Sequence, residues 1–158
     1  MGIAETLQST ALARWVGESG SLLGYPTILF LHTLGLATLA GLNAVINLRI
    51  LGVAPGLPLG PMVRFYPTMW TAFAVTTASG IALLVADATT KFGQTIFWAK
   101  LLFVALAVVN LQLLRTRVLN DPAVDQKPPA GQAKLLAATS LVFLLAATIA
   151  GRLIAYVY

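Results

Sequence analysis

The chain has 158 residues, of which 58% are hydrophobic and only 9% charged, and its net charge is +5. A soluble domain carries about 25% charged residues, so a chain this poor in charge cannot cover a water-facing surface and takes lipid as its solvent. Cysteine is absent, which excludes disulfides, thiolate metal sites and cysteine nucleophiles together.

In chain order, the opening "MGIAETLQSTALARWVGESG" does not read as a signal peptide. It lacks a basic start, a continuous apolar block and a small-residue cleavage site. Ile3, Leu7, Ala11 and Trp15 recur every four residues, opposite Glu5, Gln8, Arg14 and Glu18. That spacing predicts a short amphipathic helix over about 3–17, lying in the membrane interface.

Four apolar runs follow, at about 26–51, 65–88, 95–114 and 135–157, each near the roughly 20 residues that a bilayer core requires. "GVAPGLPLGP" separates the first pair and "ATTKFGQ" the middle pair. "RTRVLNDPAVDQKPPAGQAK" is the one long polar connection. The expected fold is all-α: an integral membrane four-helix bundle preceded by a short amphipathic interfacial helix, with residues 1–158 forming a single membrane domain.

Arg49, Arg64, Arg115, Arg117, Lys127 and Lys134 fall in the loops of one side, against Arg14 and Lys91 on the other. Membrane topology therefore explains the positive charge, and nucleic acid does not. The positive-inside rule places the six in the cytoplasm. A multi-pass protein of the cell inner membrane with both termini periplasmic is the expectation.

His32 is the only histidine and lies in the apolar stretch "TILFLHTLGLATLAGL". It sits about six residues, or roughly 9 Å, in from the outer end of its span. Lys100 in "TIFWAKLLF" and Arg152 in "TIAGRLIAYVY" lie at similar depth on the third and fourth spans. A cation inside a membrane helix costs about 2.5–3.5 kcal/mol at the centre and less near the ends. A paired anion or a water-filled cavity is the usual reason for it. The plain alternative is that Lys100 and Arg152 snorkel to the interface and that His32 is an interhelical hydrogen bonder. An anion that joins an imidazole to two cations is haem, with His32 on the iron and Lys100 and Arg152 on the propionates. A quinone headgroup is the other candidate, and copper fits less well without cysteine or clustered methionine.

Towards the opposite end, Asn43 shares a helical face with His32, Asn47 lies near it, and Asn110 and Gln112 reach similar depth on the third span. The simple expectation is amide hydrogen bonding between helices, and the remaining one is a second pocket or proton path. Ala72, Thr76 and Gly80 form one small-residue stripe, and Ala147, Gly151 and Ala155 another. Stripes of this kind let helix backbones approach closely.

"LHTLGLATLAGLNAVINLR" resembles the first span of the HemJ-type protoporphyrinogen oxidases and CopD-like membrane proteins, where an early histidine precedes a small-residue step and a basic residue. "FWAKLLFVALAVVN" is similar to their third span, and "AGRLIAY" to the ending of small four-span bacterial proteins. The resemblance implies a haem ligand at His32 and a functionally important lysine at Lys100.

The leading expectation is a membrane protein binding b-type haem, for electron transfer or a haem-linked oxidation near the outer face. Its metal ligand is His32 and its cofactor-binding residues are His32, Lys100 and Arg152. One histidine limits the chain to one such haem, and a second protomer in a homodimer can complete the coordination. The rivals are an accessory subunit of a larger membrane complex and a permease for copper or another small solute. No hydrolytic constellation, phosphate loop or dinucleotide fingerprint is present, and whether the chain is an enzyme stays open.

Overall fold

The apolar runs become four long helices in the computed structural model, which describes residues 2–154 and 156. They are α3 (Tyr25–Leu51), α4 (Phe65–Ala86), α6 (Thr95–Leu114) and α7 (Gly131–Leu153). Each is long and apolar enough to cross a membrane, and no strand occurs among the described residues. Two short helices come first, α1 (Ile3–Gln8) and α2 (Ala11–Glu18), and α5 (Ala88–Gly93) bridges α4 to α6.

Local chemistry sets the helix ends. Pro26 stands in the first turn of α3, where its missing N–H loses nothing. At the other end Gly52 adopts φ 105°. Its N–H donates to Arg49, and the next N–H, of Val53, donates to the Leu48 carbonyl at 2.9 Å, so the last carbonyls are satisfied. A 3-10 turn at Gly60–Arg64 leads into α4, and a wider π turn at Arg115–Leu119 closes α6. The fourth helix starts at Gly131 rather than Leu135, directly behind Pro128 and Pro129. The second span ends at Ala86, because Asp87 leaves helical geometry at φ −144°. Ala155, in the predicted stripe, lies outside the described residues.

The N-terminal amphipathic segment comes as two helices. Thr10 breaks it: its backbone is extended and its Oγ1 accepts the Ala13 N–H at 3.3 Å, which starts α2 afresh. Ala13 and Val16 are buried, and α2 packs on α4. Ile3, Leu12 and Trp15 stay exposed, as the apolar face of an interfacial helix should. Gln8 Oε1 ties α1 to α5 by accepting from the Thr89 Oγ1 and N–H at 2.6 and 3.2 Å.

In the bundle α3 packs against α4 and α7, and α6 packs against α7. At the end that carries the basic loops, called the basic end below, α4 and α6 also meet. Tyr66 donates its hydroxyl to the Leu111 carbonyl at 3.1 Å, and the Arg115 guanidinium lies 5.4 Å from the Tyr66 ring centre. The main buried apolar cluster gathers in this half: Ile46, Ile50, Met62, Tyr66, Met69 and Leu114 are its large members.

Candidate functional site

His32 sits near the opposite, histidine end of α3 and faces α4. Its Nδ1 lies 2.9 Å from the Thr76 carbonyl and 3.2 Å from Ser79 Oγ. A carbonyl only accepts, so Nδ1 carries the proton. Ser79 Oγ gives its own hydrogen to the Val75 carbonyl at 2.6 Å and is left an acceptor towards the ring. The tautomer follows: Nε2 is the unprotonated nitrogen, with its lone pair free for a metal or a hydrogen-bond donor. A backbone carbonyl on one ring nitrogen is the arrangement that orients a metal-binding imidazole.

The ring can lie this close because α4 offers no side chain there. A Cβ built on Gly80 would stand 3.1 Å from His32 Cε1. One turn further along α3, a Cβ on Gly35 would meet Thr76 Oγ1 at 2.5 Å and the Ala72 carbonyl oxygen at 2.9 Å. The Ala72–Thr76–Gly80 stripe thus does two things: it admits the backbone of α3, and it seats the imidazole.

Lys100 comes from α6 and reaches across α7. A Cβ on Gly151 would stand 3.4 Å from Lys100 Cε and 3.5 Å from Nζ, so the side chain lies over that glycine. Among the described residues its ammonium has neither a carboxylate nor a hydrogen-bond partner. His32 of α3, against Gly80, and Lys100 of α6, over Gly151, thus lie in the same half of the bundle, each against a glycine of a neighbouring helix.

Arg152 is placed elsewhere. Because Gly151 faces Lys100, the next residue points about 100° round the helix, and Arg152 is exposed. Of the three predicted cofactor-binding residues, His32 and Lys100 pack against neighbouring helices in one half of the bundle, and Arg152 does not.

The polar layer nearer the basic end is a set of interhelical hydrogen bonds. Asn43 and Ser140 are mutually bonded at 3.2 Å, and Asn47 Nδ2 donates to Ser140 Oγ at 3.2 Å and to the Asn43 carbonyl at 2.8 Å. On the other side of α7, Asn110 Nδ2 donates to Thr139 Oγ1 at 2.6 Å. Asn47 Oδ1 and Asn110 Oδ1 are buried without a partner. Gln112 is exposed and takes no part.

Outside the spans the one ion pair among the described residues joins Lys91 Nζ to Asp87 at 2.9 Å. Burial pushes the Asp87 carboxyl up, but hydrogen bonds from Thr90 and Lys91, with the Lys91 charge, outweigh it and hold the group below its ordinary value.

Sequence reasoning did not find Thr76, Ser79, Gly80 and Gly151 as the residues that seat His32 and Lys100. The small-residue stripes were the only signal for Thr76, Gly80 and Gly151, Ser79 had none, and a stripe says that helices approach without saying what lies between them.

Comparison with known protein families, curated proteins and solved structures finds no match for this chain. The functional reading therefore rests on its own residues. No group of three His, Cys, Asp or Glu side chains that could hold a metal ion comes together among the described residues.

Proposed function

We propose that this multi-pass membrane protein binds b-type haem in the half of the bundle that holds His32, as an electron-transfer or haem-linked oxidation protein of the HemJ/CopD-like kind. His32 Nε2 is the iron ligand and Lys100 the partner of a propionate. The observation that carries the reading is the 2.9 Å approach of His32 Nδ1 to the Thr76 carbonyl. The Thr76 carbonyl holds the Nδ1 proton, so the ring is oriented with a bare nitrogen in the same half of the bundle as an unpaired cation. Haem, if bound, would supply one-electron chemistry at its iron, which that nitrogen would hold. The protein's own part is to fix the ring through Thr76, Ser79 and Gly80 and to offset propionate charge through Lys100. By the positive-inside rule the basic end is cytoplasmic, which sets the site near the periplasmic face of an inner membrane, with both termini on that side.

The same pair of groups supports a second reading. A bare imidazole nitrogen accepts from a quinol hydroxyl, and the Lys100 ammonium donates to a quinone carbonyl. One experiment separates the two. The full chain is purified in detergent from cells given ample haem, and its visible spectrum is taken oxidised and then dithionite-reduced. A Soret band with sharpened reduced α and β bands, lost in His32→Ala while the helical signal is kept, is the expected result. Full haem content in His32→Ala refutes the ligand assignment. A featureless spectrum with quinone in the lipid extract moves the assignment to quinone. A featureless spectrum with stoichiometric partner proteins moves it to an accessory subunit of a larger membrane complex.

A further inference from the structure

The basic end carries a second group of cations that the histidine site does not use. Arg49 in the last turn of α3, Lys127 in the long loop and Lys134 in the first turn of α7 line one cleft, with Gly52, Pro55 and Pro128 among its walls. The cleft lining includes one carboxylate, Asp125. Both of its oxygens are taken by backbone: Oδ1 accepts the Leu59 N–H at 2.5 Å and Oδ2 the Gly60 N–H at 3.0 Å. The one ion pair among the described residues, Lys91 with Asp87, lies at the other end of the bundle. Three cations thus share a concave site with a single carboxylate, which forms no ion pair with any of them, and the site keeps a net positive charge.

The walls hold their shape. Arg49 Nε donates to the Leu57 carbonyl, which orients the guanidinium and leaves its terminal N–H groups for another acceptor. The 52–57 turn passes through Gly52 at φ 105° and Ala54 at φ 53°. On the opposite wall Pro128 and Pro129 have their φ fixed by their rings. Depth also matters. At 1.5 Å per residue the 27 residues of α3 extend about 40 Å, comparable with a bilayer that is about 40–45 Å thick including headgroups. The end of α3 is therefore placed at the level of lipid phosphates.

We propose that this cleft binds a phosphate group, carried by an anionic membrane lipid or by a soluble phosphate compound, with Arg49, Lys127 and Lys134 as its cationic ligands. A guanidinium presents a planar fork of donors to phosphate oxygens and the two ammonium groups complete the charge.

The test uses the full chain in mild detergent, incubated with equal amounts of phosphatidylglycerol and phosphatidylcholine, and separately with inorganic phosphate. Native mass spectrometry reads the adducts. Wild type should retain phosphatidylglycerol preferentially. Each Lys→Gln change at 127 or 134 should lower that retention about fivefold, whereas Lys127→Arg with Lys134→Arg should preserve it and Lys91→Gln at the other end should not alter it. Arg64, Arg115 and Arg117 stay in place, so orientation is kept. If Lys134→Gln fails to fold, Lys127→Gln, an exposed loop change, carries the test. Retained lipid that excess inorganic phosphate does not displace assigns the site to a lipid headgroup. A phosphate adduct that the Gln variants lose, without preference for phosphatidylglycerol, assigns it to a soluble phosphate compound. Equal phosphatidylglycerol retention by wild type and Gln variants, with no phosphate adduct, overturns the proposal.

Discussion

The two halves of the bundle are built on different plans. At the basic end, large side chains of three long helices interlock over small residues of the fourth: Ile46 and Ile50 of α3, Tyr66 and Met69 of α4, Leu114 of α6 and Ala137 of α7 are almost wholly buried. At the histidine end, contact runs through small residues, and two nitrogenous side chains occupy the room that Gly80 and Gly151 leave. Lipid is as apolar as leucine, so neither half is held by a hydrophobic effect between helices. The first holds by packing density, the second by close backbone approach around polar groups. A densely interlocked core leaves no place for a ligand, so the proposed haem site is consistent only with the second.

Truncating Tyr66 gives the largest expected effect. It removes a fully buried ring, its hydroxyl bond to the Leu111 carbonyl and the surface on which Arg115 lies. Tyr66→Ala should destabilise the bundle by about 3 kcal/mol, the low end of the aromatic-to-alanine range, because lipid rather than water is the reference. Denaturation in mixed micelles measures it. A loss no greater than that of an exposed α6 position would remove the contrast between the halves.

Gly35→Ala tests the other plan. Its Cβ would meet the Ala72 carbonyl oxygen, a backbone atom, at 2.9 Å, so α3 and α4 must move apart. Overpacking of this kind costs about 1–3 kcal/mol, and the His32–Thr76 bond should lengthen with the separation. Thermal unfolding reads the first effect, and ligand affinity at His32 reads the second. Retention of wild-type stability and affinity would mean that close approach is not what holds this half.

The division between halves was only partly legible in the sequence. Hydropathy is a local property, so the four spans emerged with limits close to those observed, and the proline and glycine positions that bound α3 were readable beside them. Thr10 interrupts the N-terminal helix through one side-chain cap, which four-residue spacing does not register. His32 and Lys100 were found by depth, which counting residues supplies. Their partners were not, because the register of α3 on α4 decides that Nδ1 meets Thr76, and register is set by packing at Gly35 and Gly80. Arg152 shows the limit of depth most plainly. It shares the layer of Lys100, yet the rotation of α7 turns Gly151 inward and Arg152 out.

A smaller effect is expected at Ser140, which bridges α3 and α7 inside the well-packed half. Ser140→Ala leaves the Asn43 side chain without its partner and takes one acceptor from Asn47. Double-mutant cycles on membrane helices average about 0.6 kcal/mol per such bond, with a maximum near 1.7, so a loss of about 1 kcal/mol is the expectation. A loss as large as that of Tyr66→Ala would mean that amide bonding, rather than packing, holds the basic end.

The smallest effect belongs to the corner between α4 and α5, outside the spans. Asp87 is held below its ordinary carboxylate value, so the folded state binds its proton less readily than the unfolded chain does. The stability it contributes is then present above the unfolded value of about 3.9 and fades as pH falls through the lower folded value. The carboxylate side chain is 44% exposed and its Lys91 partner 25%. Solvent screens such a pair, and a few tenths of a kcal/mol is the expected size. Asp87→Asn should cost that much at pH 7 and flatten the acid limb of the unfolding midpoint. Because α5 also carries Thr89, which anchors α1 through Gln8, loosening this corner should raise amide exchange in α1 before it affects α4. Unchanged exchange in α1 would show that α1 is held independently of the Asp87–Lys91 pair.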